Sequence, residues 1–127
     1  MKRLIKKIVR RKKKKSRFHK GIYKGMSLDS SWELAYVIWC EDQGKKIERN
    51  IKKFPYTFRN RIYNYIPDFI VDGSYVEVKG REVARTHAKY RYFPHPLTIL
   101  RRKEMAPILK YVIQKHGINF YDKLYNK

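Results

Sequence analysis

Cysteine is almost absent: Cys40 is the only one in the 127-residue chain. A lone thiol excludes an internal disulfide framework and a cysteine-based zinc site, and it predicts an intracellular, cytoplasmic protein. No apolar run approaches the roughly 18 residues needed to span a bilayer, so no transmembrane segment and no membrane partner are expected. The segment from Lys2 to Lys20 is not expected to act as a secretory leader, because Leu4, Ile5, Ile8 and Val9 are too few and too interrupted to form its apolar core. There is no glycine-rich phosphate loop to support nucleoside triphosphate hydrolysis. The four histidines (His19, His87, His95 and His116) are scattered without metal-ligand spacing. Acids are scarce too, with 11 Asp and Glu against 32 Lys and Arg.

What is present, then, is positive charge. A net charge of +21 calls for a polyanionic partner, nucleic acid before an anionic lipid surface. The charge is uneven. Residues 1–20 hold 12 Lys and Arg and no acid, including the unbroken block Arg10, Arg11, Lys12, Lys13, Lys14 and Lys15. Residues 1–25 therefore read as a flexible, basic nucleic-acid-binding arm with Gly21 and Gly25 as linker, and residues 26–127 as one folded domain. The domain is still basic, yet 43% apolar and 15% aromatic residues across the chain suffice for one modest core.

Periodicity and turn residues set out the elements. Ser30-Ser31-Trp32-Glu33 fits a capping box, and the nearly continuous apolar run Leu34 to Cys40 predicts a helix buried on most sides and stopped at Gly44. Trp32 and Trp39, seven apart, share one face of it. Strands are expected over Ile47 to Phe54, over Phe58 to Val71 with a turn near Arg59-Asn60, and over Ser74 to Lys79. Then follow a helix from Glu82 to Tyr92, a short strand from Leu97 to Leu100, and an amphipathic helix from Pro107 to His116. The order helix, three antiparallel strands, helix, strand, helix predicts an α/β (α+β) fold, a mixed sheet with helices packed on it.

Asp72-Gly73 is a strong two-residue hairpin signal. It pairs Val71 with Ser74, so paired positions sum to 145 and Asp68 falls opposite Glu77. Strand alternation then puts Asp68, Glu77 and Lys79 on one face, and Pro67, Phe69, Val71, Val76 and Val78 on the other, core-facing side. Two carboxylates opposed across a ladder stand about 4.5–5.5 Å apart at Cβ and destabilise each other unless a proton, a lysine or a divalent cation offsets them. Mg²⁺ is held in this way, by one or two carboxylates with waters and substrate phosphate completing its shell. With Lys79 beside the pair, the set suits phosphodiester hydrolysis.

Tyr65-Ile66-Pro67-Asp68-Phe69 followed by Tyr75-Val76-Glu77-Val78-Lys79-Gly80 resembles the signature of the PD-(D/E)XK nuclease superfamily. The stretch from about Ser30 to Gly117 is similar in pattern to small phage and mobile-intron nucleases of that superfamily, homing-type endonucleases among them. The resemblance implies a restriction-endonuclease-like core, dependence on Mg²⁺ with Mn²⁺ as a substitute, and cleavage of DNA. It also implies that an upstream helix glutamate joins the site, and Glu33 matches that position. The catalytic set is then Glu33, Asp68, Glu77 and Lys79, with Asp68, Glu77 and Glu33 as metal ligands. As the capping-box residue, however, Glu33 has a purely structural explanation as well.

Arg81, Arg85 and Lys89 form an i, i+4, i+8 stripe just after the Glu77 strand. They are read either as phosphate contacts or as a solvated helix face. Tyr90 and Tyr92 are candidates for stacking on bases. Double-strand cleavage by one such site would require a homodimer or two successive visits. A non-catalytic basic binding protein of the ribosomal or nucleoid type would share the charge but leaves the Asp-Glu-Lys cluster unexplained. A junction resolvase or RNA-directed nuclease on the same scaffold remains open.

Overall fold

The computed structural model describes residues 18–79 and 82–126, so the basic block Arg10 to Lys15 and Arg81 lie outside the described residues. The chain is mixed α/β. Its centre is a four-stranded sheet in the order β3 (Ile47–Arg49), β6 (Phe69–Val71), β7 (Ser74–Val78), β8 (Leu97–Leu100). The first three strands are antiparallel neighbours, and β8 pairs parallel to β7. A parallel neighbour needs a crossover, and α2 (Ala84–Arg91) lies within it. The remaining helices are α1 (Ser31–Asp42), α3 (Arg102–His116) and α4 (Phe120–Leu124).

One face of the sheet carries Phe69, Val71 and Val76, all buried in a single core with Leu34, Ala35, Val37 and Ile38 of α1 and Met105, Ile108 and Val112 of α3. Helix α1 is buried on most sides, as its continuous apolar run requires. Ser30 caps it by accepting a hydrogen bond from the Glu33 N–H at 3.2 Å. It ends at Asp42, two residues before Gly44, whose φ of +74° suits glycine. Trp32 and Trp39 pack partly buried against this core, and Cys40 is fully buried within it.

The register around Asp72-Gly73 is the expected one: Val71 pairs with Ser74, Ile70 with Tyr75 and Phe69 with Val76. Both turn residues have positive φ, and Asp72 Oδ1 accepts the Lys46 N–H at 2.9 Å.

Several boundaries differ from expectation, each for a local reason. Strand β3 stops at Arg49, because Asn50 Oδ1 accepts the Lys52 N–H and closes an Asx-turn. The chain then leaves the sheet for a separate hairpin, β4 (Phe54–Phe58) and β5 (Arg61–Tyr65), turning at Arg59-Asn60. Pro67, with no N–H to give a ladder, helps break the long strand expected over Phe58 to Val71 into β5 and β6. Gly21 and Gly25 are not linker. They belong to a hairpin of β1 (Gly21–Tyr23) and β2 (Met26–Leu28), in which a Cβ on Gly21 would stand 2.5 Å from the Tyr125 ring. Helix α3 starts five residues before Pro107, with Glu104 accepting the Arg101 N–H.

Candidate active site

The site lies where β6 begins and β7 ends. The ladder bonds give way to side chains at this point. Asp68 Oδ2 accepts the Val78 N–H at 2.8 Å, and Glu77 Oε1 accepts the Asp68 N–H at 3.1 Å. The two carboxylates thus interlock across the hairpin at the predicted pair of positions. Glu77 is 5% exposed, which is unusual for a carboxylate without a tight ion pair. From behind, Asn50 fixes the segment: its N–H donates to the Asp68 carbonyl and its amide donates to the Pro67 carbonyl at 2.9 Å. Asn50 is itself buried. Sequence reasoning passed over it, although a polar, weakly strand-forming residue inside an expected strand is a usable signal.

Glu33 reaches the same end of the sheet from the first turn of α1. Its Oε1 accepts from Arg49 at 2.6 Å and from the Asp29 N–H at 3.1 Å. Arg49 also binds Asp29 and lies over the Phe69 ring. The helix-capping and site roles of this region are therefore shared out. Ser30 supplies the cap, while the Glu33 carboxylate pairs with β3 and feels the charge of Asp68.

The electrostatics are those of crowded, desolvated acids. Burial, then the charge of Asp68, pushes the Glu33 carboxyl up to about 7 against the pull of Arg49. Burial and the neighbouring Glu77 raise Asp68, and burial raises Glu77 against the pull of Lys89. All three hold protons more firmly than free carboxylates.

Lys79 is half-buried and follows β7, its N–H bonded to the Leu100 carbonyl. Lys89 is the surprise. Its Nζ stands 3.8 Å from Glu77 Oε2, its side chain is 19% exposed, and it lies over the Tyr65 ring at 4.8 Å. Burial lowers its proton affinity, with Glu77 opposing. Lys89 is thus turned into the carboxylate cluster, where the α2 stripe had suggested a free phosphate contact. Arg85 remains exposed. The buried hydroxyls of Tyr65 and Tyr90 make no hydrogen bond among the described residues, and Glu77 raises both phenols' proton affinity beyond the effect of burial. Tyr90 packs its ring against Tyr65 and is not available to stack on a base; Tyr92 is exposed.

The donor set suits a hard cation. Among the described residues no group of three or more His, Cys, Asp or Glu converges closely enough to encase one. An ion here would take one or two carboxylates and leave most of its shell to water and phosphate, as Mg²⁺ does. Electrostatically, the crowded acids would gain from such a charge.

Comparison with known proteins finds no matching family model, no matching curated protein and no matching solved structure. No helix among the described residues is long and apolar enough to cross a membrane.

Proposed function

We propose that this chain is a metal-dependent endonuclease that hydrolyses DNA phosphodiester bonds, on a restriction-endonuclease-like core of the PD-(D/E)XK type. The observation that carries the reading is the interlocked pair of half-buried Asp68 and buried Glu77, in which Glu77 adds to the cost of charging Asp68. Incidental surface acids would be solvated. Acids placed to hold a cation are expected to look like these.

Asp68 and Glu77 would hold the Mg²⁺, with Glu33 on its flank. The bound ion would supply charge to the scissile phosphate and a more acidic water. The chain's own residues do the rest. Asn50 fixes the Pro67-Asp68 backbone, and the Val78 N–H fixes the Asp68 carboxylate. Lys89 stands beside Glu77 and Lys79 lines the adjoining groove; their ammonium groups would orient an attacking water and stabilise charge building on phosphate oxygens. Arg85 and the basic chain at large hold the DNA backbone. The overall charge of +21 alone would serve a non-catalytic binder equally well, so the test must be of chemistry.

Purified protein and supercoiled plasmid, with Mg²⁺ or with EDTA, decide the matter. Mg²⁺-dependent nicking or linearisation is expected, abolished in Asp68→Asn while DNA binding persists. Undiminished cleavage by Asp68→Asn would remove the activity from this site.

A further inference from the structure

Beside Glu77 runs a groove of about 370 Å³, walled on one side by the β4–β5 hairpin and on the other by α2. Tyr56, Asn64 and Tyr65 line it from the hairpin, Arg85 and Lys89 from the helix, and Lys79 from the end of β7. No acid lines it. We propose that this groove seats one phosphodiester strand of the nucleic acid and that the hairpin is its outer wall. The proposal rests on the chain acting on nucleic acid but does not require cleavage.

Three cations converge on the groove. Like charges brought together along one groove are a local cost that a polyanion removes. The walls are held at a set spacing: the Arg85 guanidinium lies 4.8 Å over the Tyr63 ring, and Phe54 packs edge-on against Phe93 and Tyr75. Cations from α2 and the end of β7 line the groove to meet backbone phosphates, while the buried Tyr56 and Tyr65 build its rigid wall. Beyond the groove, the hairpin tip carries Arg59 and Arg61, both exposed. Nothing in the core explains why an inserted hairpin should hold two arginines at its tip and an isoleucine, Ile62, that is 78% exposed. A strand passing along the wall would meet all three.

The test compares two charge reversals of equal size on the full chain. R59E/R61E alters the hairpin tip. K103E/K110E alters exposed positions on α3, which packs with α1 over the other face of the sheet. Binding of a fluorescent DNA oligonucleotide is measured in EDTA across about 50–200 mM salt. The hairpin reversal is expected to weaken binding at least tenfold and to flatten the salt slope by about one to two. The α3 reversal should change affinity no more than about threefold. Equal losses from both variants would mean diffuse attraction and would overturn the proposal, as would an unchanged hairpin variant. If a reversal disturbs folding, alanine at the same positions carries the comparison. Because EDTA removes cleavage from the measurement, a strong hairpin effect with an inert plasmid assay would uphold the groove and sink only the nuclease reading.

Discussion

At the scale of single residues, Glu33 and the two lysines differ in what they can lose. Glu33→Gln keeps an oxygen to accept from Asp29 and Arg49 but loses the charge that Asp68 opposes. A purely capping residue would tolerate it. A site residue would not, so turnover is expected to fall at least tenfold while the melting temperature moves by only a few degrees; both are measured on one preparation. Lys79→Met and Lys89→Met test the ammonium groups while keeping the length and apolar stem of each side chain. Each should lower the cleavage rate at saturating DNA by about 10²-fold, as loss of one electrostatic contact to a transition state does. Calorimetric Mg²⁺ affinity should hold or rise, since a competing cation beside Glu77 has gone. A rate unchanged in Lys89→Met would return that lysine to a structural ion pair.

At the scale of elements, the hairpin of β6 and β7 sets the whole site through its turn. Gly73 has a φ of +84° and open space where a Cβ would go, so Gly73→Ala tests backbone strain without a clash. A cost of about 1 kcal/mol is expected, or about 4 °C in melting temperature for a domain of this size. Cleavage should survive, because Asp72 still ties the turn to Lys46. This turn is also where the sequence was most legible: Asp-Gly fixes a register, the register fixes the faces, and Asp68 meets Glu77. Local chemistry sufficed there because each step was a neighbour relation. The capped helix α1 was legible for the same reason. The inserted β4–β5 hairpin was not, since its strands alternate as sheet strands do and only Asn50 and Pro67 eject them from the sheet. Nor was the orientation of Lys89. A helical stripe tells which residues share a face, but the packing of α2 against β4 and the carboxylates decides what that face meets.

At the scale of the whole molecule, the folded body extends closer to the amino terminus than composition suggested. The Phe18 carbonyl accepts from Ser31, and the His19 carbonyl from the Tyr125 hydroxyl, so a trimmed chain should begin at residue 18. Such a body carries a built-in conflict between fold and site, and pH exposes it. Glu33, Asp68 and Glu77 all bind protons more firmly when folded than when unfolded. For groups with a raised folded value the folded state holds the extra protons, so stability falls as pH rises. Without metal, this contribution is complete near pH 4, around the unfolded carboxylate values, and is lost by the time pH passes about 7. Glu33 alone would account for about 3 kcal/mol of that loss. The expected result is a metal-free melting temperature that declines from pH 5 to pH 8 more steeply for the wild type than for Asp68→Asn, because the variant lacks the raised Asp68 titration and relieves Glu33 of its charge. Mg²⁺ should reverse the trend, since a cation competes with protons for the same oxygens and gains as they leave. Thermal melts with EDTA and with Mg²⁺ across that range check both slopes. Parallel curves for wild type and variant, with no Mg²⁺ effect at pH 8, would mean that the three carboxylates neither crowd one another nor bind a cation.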